Sequence, residues 1–214
     1  MAQYRELFPH AYPVLEEHNI ESQLLKRCAE LHQDSTELDK LAKQVDAVKA
    51  FVESSHEAQL LEAYEDQHWG QFPLRTVVSE QDRQQLDLRC SKGHTVVVKN
   101  GIDIETVSLV ESSNTKNILF IGTMSYYPNI DGACYFAEEI LPIIWQQDPT
   151  IAFYIAGSDP PEKVRTLAQD SRIKVIANPE NMSDVAQECS ITVVPLRIGS
   201  GTRIKIIHSM AMGL

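Results

Sequence analysis

From Asn117 to Leu214 the chain alternates short apolar runs with amphipathic stretches, and this alternation constrains its fold more than any other feature. Ile118-Leu-Phe-Ile-Gly122 is an apolar run ending in glycine, and 131–145 follows with a one-sided helical pattern. Ile151–Gly157 is a second apolar run ending in glycine. A helical stretch over 161–169 comes next, where Pro160-Pro161 suits a helix start. A strand over 173–176, a short helix over 183–189, a strand over 191–195 and a last helix over 202–212 complete the series. Strand, helix and strand at this spacing predict right-handed βαβ units around a parallel sheet. Strands that are apolar throughout fit a sheet covered on both faces.

The first half reads differently. Ile20, Leu24, Leu25, Cys28 and Leu31 recur at helical spacing. So do Leu38, Leu41, Val45, Val48 and Phe51, then Leu60, Leu61, Tyr64 and Trp69. The opposite face is polar, which predicts a scaffold helix or helix pair packed on one side. The pattern blurs between Val52 and Gln59, so no heptad repeat supports a coiled coil. After Gly70 and Pro73, residues 74–79 predict a buried strand and 80–89 a helix with Ser79 as N-cap and Asp82 in the first turn. A second strand surrounds Val96-Val97-Val98, and Asn100-Gly101 marks a turn. The polar stretch 104–116 is expected to be a linker. It divides a helix-rich domain over 1–105 from a second domain over 106–214.

Composition narrows the function. Thirty acidic against 19 basic side chains give a formal charge of −11, which argues against a nucleic-acid-binding surface. The apolar runs fall far short of the roughly 18 residues that span a bilayer. Cys28, Cys90, Cys134 and Cys189 are scattered without a C-x-x-C pair, which predicts buried reduced thiols and no zinc site. The first residues lack an apolar leader core, and a cytoplasmic location is expected.

In an open parallel sheet, ligands bind beyond the carboxyl ends of the strands. That rule selects Gly122-Thr123-Met124, Gly157-Ser158-Asp159 and the segment 196–202. The last is the most specific. Gly199-Ser200-Gly201-Thr202 precedes a helix, and free N–H groups at such a start make an anion site. Arg197, Arg203 and Lys205 bring three positive charges with no acid between them. Arg203 and Lys205 fall in the helix's first turn, where the macrodipole disfavours cations and a bound anion offsets the repulsion. Phosphate is the expected ligand. The P-loop pattern is absent, and Gly122-Thr-Met-Ser-Tyr-Tyr-Pro is no dinucleotide fingerprint, which disfavours an NAD enzyme.

These residues resemble a known family. Phe120-Ile-Gly-Thr-Met-Ser-Tyr-Tyr-Pro-Asn-Ile-Asp131, Phe153-Tyr-Ile-Ala-Gly-Ser158, Val194-Pro-Leu-Arg-Ile-Gly-Ser-Gly-Thr-Arg-Ile-Lys205 and Met210-Ala-Met-Gly213 look like the donor domain of family 4 (group 1) glycosyltransferases. Weaker matches are Glu17-His-Asn-Ile-Glu-Ser22, Val78-Ser-Glu-Gln-Asp-Arg83 and Lys99-Asn-Gly-Ile-Asp103. The resemblance implies an α/β, GT-B-like fold: parts of two Rossmann-like domains with parallel sheets and a helix-rich N-terminal half. It implies sugar transfer from a nucleotide-sugar donor, with retention, without metal or other cofactor. Arg203 and Lys205 would hold the diphosphate, Gly122 and Thr123 would line the donor site, and Gly199, Ser200, Gly201 and Thr202 would approach the sugar and phosphate. His18 would face the sugar or acceptor. The acceptor would be a sugar or lipid-linked sugar in polysaccharide biosynthesis, which brings in a peripheral attachment at the inner membrane face.

Two positions depart from the family pattern. Where it often carries glutamates, this chain has Ser200 and His208, and His208 would lie on the ribose side with one hydrogen bond to offer. The family continues past Met212-Gly213-Leu214 and starts earlier, so a chain truncated at both ends is expected. The alternative is a truncated module that binds a nucleotide-sugar or phosphate without turnover. A further one is a helical interaction protein using residues 20–69.

Overall fold

The structure, a computed structural model, describes residues 10–33, 40–110, 115–199 and 201–214. The residues cluster into two units. The first is Met1–Asn100 with Ile198–Thr202, and the second is Gly101–Arg197 with Arg203–Leu214.

The first unit contains β1 (Val14–Glu17), α1 (Glu21–Gln33), α2 (Lys40–Trp69), β2 (Leu74–Val77), α3 (Glu80–Arg89) and β3 (His94–Val97). Its three strands lie in the order β1-β2-β3, all parallel. Val14 pairs with Leu74, and Leu74 with His94. Strand β1 has no counterpart in the sequence reading, because Val-Leu-Glu-Glu is too short and too acidic to stand out. Helix α2 runs unbroken through the stretch where the apolar pattern blurs, and it packs along α1. Leu38 and the side chains of Leu31, Leu41, Val45, Val48 and Phe51 lie outside the described residues. Ser79 caps α3 as expected, its side chain accepting from the Asp82 N–H at 3.1 Å.

The core of this unit is Ile20, Trp69, Val77, Leu86 and Cys90. A cation is buried in the same unit. Arg75 is fully buried and donates to the carbonyls of Trp69 (3.2 Å) and Cys90 (3.4 Å), to Cys90 Sγ (2.9 Å) and to Thr95 Oγ1 (3.2 Å). The guanidinium thereby ties the end of α2 to β3 and to the residue that caps α3.

The second unit contains β4 (Ile118–Ile121), α4 (Tyr127–Tyr135), α5 (Leu141–Gln147), β5 (Phe153–Gly157), α6 (Glu162–Arg165), β6 (Ile173–Ala177), α7 (Met182–Ala186), β7 (Ile191–Thr192) and α8 (Ile204–Met212). The sheet order is β6-β5-β4-β7, all parallel. Both faces are covered. Ile118, Phe120, Phe153 and Ile155 pack against Phe136 and Leu141, while Leu119, Ile121, Tyr154 and Ala156 pack against Val185, Ala186, Cys189 and Met212. This is why the strands are apolar without alternation.

Several boundaries differ from expectation. The first helix of this unit begins at Tyr127, not at 131, because Pro128 sits in its first turn, where its missing N–H does no harm. It passes through a π-helical segment, Phe136–Ile140, before α5. Strand β7 is two residues long, although Val193 N–H still donates to Leu119 O at 2.9 Å; Pro195 has no N–H with which to extend the pairing. Helix α8 begins at Ile204, two residues later than expected, since Gly201 has φ +69°. The stretch expected as a linker carries a short 3₁₀ turn, Ile104–Thr106, and the Val110 N–H donates to Met212 O at 2.9 Å.

No disulfide joins the four cysteines. Cys90, Cys134 and Cys189 are buried, and Cys28 is half-buried. Burial pushes the Cys189 thiol up to about 12. Among the described residues no helix is long and apolar enough to cross a membrane, and no group of three metal-ligating side chains occurs.

Candidate functional site

The second unit assembles a cationic site at the carboxyl end of β4. Lys205, in the first turn of α8, extends back over the sheet. Its Nζ donates to Asn129 Oδ1 at 2.5 Å and lies 4.5 Å from the centre of the Phe120 ring. Asn129 is buried on α4, and its Nδ2 donates to the carbonyl of Thr123 at 2.8 Å. The turn after β4 is thus laced to α4 and, through one amide, to α8.

Gly122 makes the approach feasible. A methyl group there would lie 2.8 Å from the Asn129 amide and 2.9 Å from Lys205 Nζ. The glycine therefore leaves room for two protein side chains. Gly157, at the end of β5, is pressed closer still: a methyl group on it would lie 1.7 Å from the Gly122 carbonyl oxygen. The two glycines that end the apolar runs meet across adjacent strands, where only a bare Cα fits.

The electrostatics set Lys205 apart. Among the described residues no carboxylate pairs with it. Burial, and then the charge of Arg203, push its ammonium down from the usual lysine range to about 8. Arg203 is the N-cap residue of α8, and no side chain caps the helix start. Two cations at a helix N-terminus oppose the macrodipole, so the arrangement favours an anion.

Arg197 does not join them. Its guanidinium makes a two-pronged ion pair with Asp131, Nε donating to Oδ2 at 3.0 Å and a terminal nitrogen to Oδ1. The three-cation cluster expected from 197–205 is therefore a pair, Arg203 and Lys205. The acid that takes Arg197 comes from α4, 66 positions away in sequence.

The other expected site residues are distributed more widely. Gly122 lies beside Lys205, and Thr123 contributes its carbonyl to Asn129. Gly199, Gly201 and Thr202 belong to the first unit. There Thr202 Oγ1 donates to Val78 O at 3.2 Å, Arg27 donates to Gly199 O, and a methyl group on Gly201 would lie 2.8 Å from His18 O. Ser200 lies outside the described residues. His18 is largely exposed, with Nε2 3.6 Å from Glu16. His208 is half-buried in the middle of α8. Sequence reasoning missed Asn129 as a site residue. Its signals were its place in the family-like stretch Phe120–Asp131 and the Pro128-Asn129 step, which reads equally well as a helix start.

Comparison with known proteins bears on the fold and the family. Residues 115–214 match the family model described as glycosyl transferases group 1. No curated protein sequence matches the chain. Among solved structures, TarM is similar at TM-score 0.57 and 14% identity, covering 71% of this chain and 30% of TarM. A glycine-to-arginine variant of S. aureus TarM, in complex with fondaparinux, alpha-GlcNAc-glycerol and UDP, gives the same TM-score and identity over 71% of this chain and 31% of its own. The pneumococcal O-GlcNAc transferase GtfA, at TM-score 0.48, 15% identity and 71% and 31% coverage, is too distant to carry an argument. The likeness to TarM is one of fold, and the chain spans about 30% of TarM's length. Residues 115–214 are thus similar in sequence to the group 1 glycosyltransferases, and the doubly covered parallel sheet they build is similar in fold to that of TarM.

Proposed function

We propose that this chain supplies the donor side of a glycosyltransferase that moves a sugar from a nucleoside diphosphate to an acceptor hydroxyl. The observation that carries the reading is Lys205: a partly buried ammonium beside Arg203, held by a neutral amide, with no carboxylate pairing with it among the described residues. In sugar transfer the leaving nucleoside diphosphate gains negative charge as the bond to the anomeric carbon breaks. Cations already in place stabilise that charge more than they stabilise the ground state, which is what accelerates the step. Two such cations can take the place of a metal ion, and retention at the anomeric carbon follows the family.

In this reading Arg203 and Lys205 hold the diphosphate, with Gly122 and Thr123 beside them. Gly199, Ser200, Gly201 and Thr202 approach the sugar and phosphate, His208 lies on the ribose side, and His18 faces the sugar or acceptor. UDP bound to a TarM variant supports a uridine nucleotide as the first ligand to test, and the alpha-GlcNAc-glycerol bound there supports a sugar-bearing acceptor.

Calorimetric titration with UDP, GDP and ADP, first without metal and then with magnesium, tests the reading. Metal-free saturable binding of one of them is expected. Replacing both Arg203 and Lys205 by alanine should weaken it by about 3 kcal/mol or more, at about 1.5–3 kcal/mol per charge-assisted bond. Unchanged affinity in the double variant would sink the phosphate assignment.

A further inference from the structure

We infer that Asn129 is a positioning residue, whose neutral amide fixes Lys205 in place while leaving its positive charge uncompensated for the bound diphosphate. The inference rests on the donor-site reading above and adds to it.

The amide has both ends engaged. Its Nδ2 donates to the Thr123 carbonyl at 2.8 Å, so its oxygen is turned to Lys205, at 2.5 Å. Asn129 is 5% exposed, so the side chain has nowhere else to go. An amide oxygen satisfies one of the three N–H groups of an ammonium and cancels none of its charge. A carboxylate in the same place would satisfy the same bond and cancel the charge outright. The Phe120 ring lies under the ammonium and Gly122 lies beside it. Neither they nor Thr123 and Asn129 titrate near neutral pH. Among the described residues Arg203 is the charged group that acts on Lys205.

A measurable consequence follows. Without ligand, burial and Arg203 bring Lys205 down to about 8, so at pH 8.5 about three quarters of the chains hold it neutral, against about one tenth at pH 7. A diphosphate restores the charge as it binds. Its terminal phosphate loses its last proton near pH 6, so the ligand itself is already fully ionised at pH 8.5. Binding at pH 8.5 should therefore draw a proton from the buffer onto Lys205.

The test is calorimetric titration of the whole chain with UDP at pH 7 and pH 8.5, in pairs of buffers with different ionisation heats, alongside Asn129→Asp. Wild type should take up about three quarters of a proton per UDP at pH 8.5 and close to none at pH 7, where the roughly one tenth gained by Lys205 is offset by the roughly one tenth lost from UDP. Asn129→Asp should bind UDP about tenfold more weakly or worse at pH 7, and should take up no proton at pH 8.5, because its own carboxylate keeps Lys205 charged. A variant of unchanged circular dichroism that binds with wild-type affinity and wild-type proton uptake overturns the inference. UDP binding by wild type without proton uptake at pH 8.5 also overturns it, while leaving the donor site standing. Absence of UDP binding by folded wild type at pH 7 overturns the donor-site reading and this inference with it. Should Asn129→Asp fail to fold, the wild-type proton count decides alone.

Discussion

Each unit withdraws a cation from water without pairing it to a carboxylate among the described residues, and the two do it for opposite ends. Arg75 is fully buried; its two terminal nitrogens donate to two carbonyls, a hydroxyl and a sulfur, while its Nε finds no partner. Lys205 is partly exposed, beside another cation, and held by an amide oxygen. A guanidinium with five donors can be surrounded by neutral acceptors and become a fixed joint of the fold. An ammonium with one good acceptor keeps most of its field and directs it at whatever comes next. Burial of a charge therefore says little about function until its partners are counted.

Substitutions should separate the two cases. Arg75→Ala carries the largest expected effect, a loss of about 3–5 kcal/mol of stability, because it removes four buried hydrogen bonds that tie α2 to β3 and opens a cavity. Urea unfolding followed by circular dichroism measures it, and UDP affinity of the remaining folded protein should stay within about twofold of wild type. Lys205→Ala should do the reverse. A loss of about 1.5–3 kcal/mol in UDP binding is expected with no loss of melting temperature at pH 7, and a rise where relief of the desolvated charge outweighs the lost packing.

The pH dependence of stability sharpens the contrast. Lys205 titrates near 8 in the folded chain and near its usual 10.5 when unfolded. Between those values the unfolded chain holds more protons, so raising the pH through this window favours the folded state. Below pH 8 both states are charged and the penalty on folding is constant and at its largest. Relative to Lys205→Met, wild type should thus gain on the order of 2 kcal/mol of stability between pH 8 and pH 10.5. Parallel denaturation curves for the two proteins at those pH values would show no divergence if the lysine were ordinarily hydrated. The smallest effect is expected at Gly122→Ala. Its new methyl would lie 2.8 Å from the Asn129 amide and 2.9 Å from Lys205 Nζ, so these side-chain ends must shift, and about 1 kcal/mol of UDP affinity should be lost.

Much of this contrast was hidden in the sequence, for reasons that differ by element. Strands β4 and β5 were legible because burial on both faces leaves an uninterrupted apolar run. Helix α3 was legible because Ser79 and Asp82 make a local cap. Strand β1 was not, since its four residues are stabilised by β2 and not by their own composition. In the site, Arg203 and Lys205 stood out as cations at a helix start. The fate of Arg197 depended on Asp131, and that of Lys205 on Asn129, both on α4. A linear pattern shows which charges are near in the chain, but not which are cancelled across the fold. The same limit applies to Gly199–Thr202, which sequence joins to Lys205 and the contacts assign to the first unit.

The parallel pairing in the first unit also bears on the order in which that unit acquires structure. Strand β2 meets β3 across a connection holding only α3, whereas β1 meets β2 across both α1 and α2. That second closure spans about three times as many residues, an added entropic barrier of about 1 kcal/mol, and β1 brings few buried side chains to offset it. The β2–α3–β3 crossover unit should therefore form first and β1 dock last. In hydrogen exchange, the amides of Leu15 to Glu17 should be the first of the sheet to open, making the leading strand the point where unfolding of this unit begins.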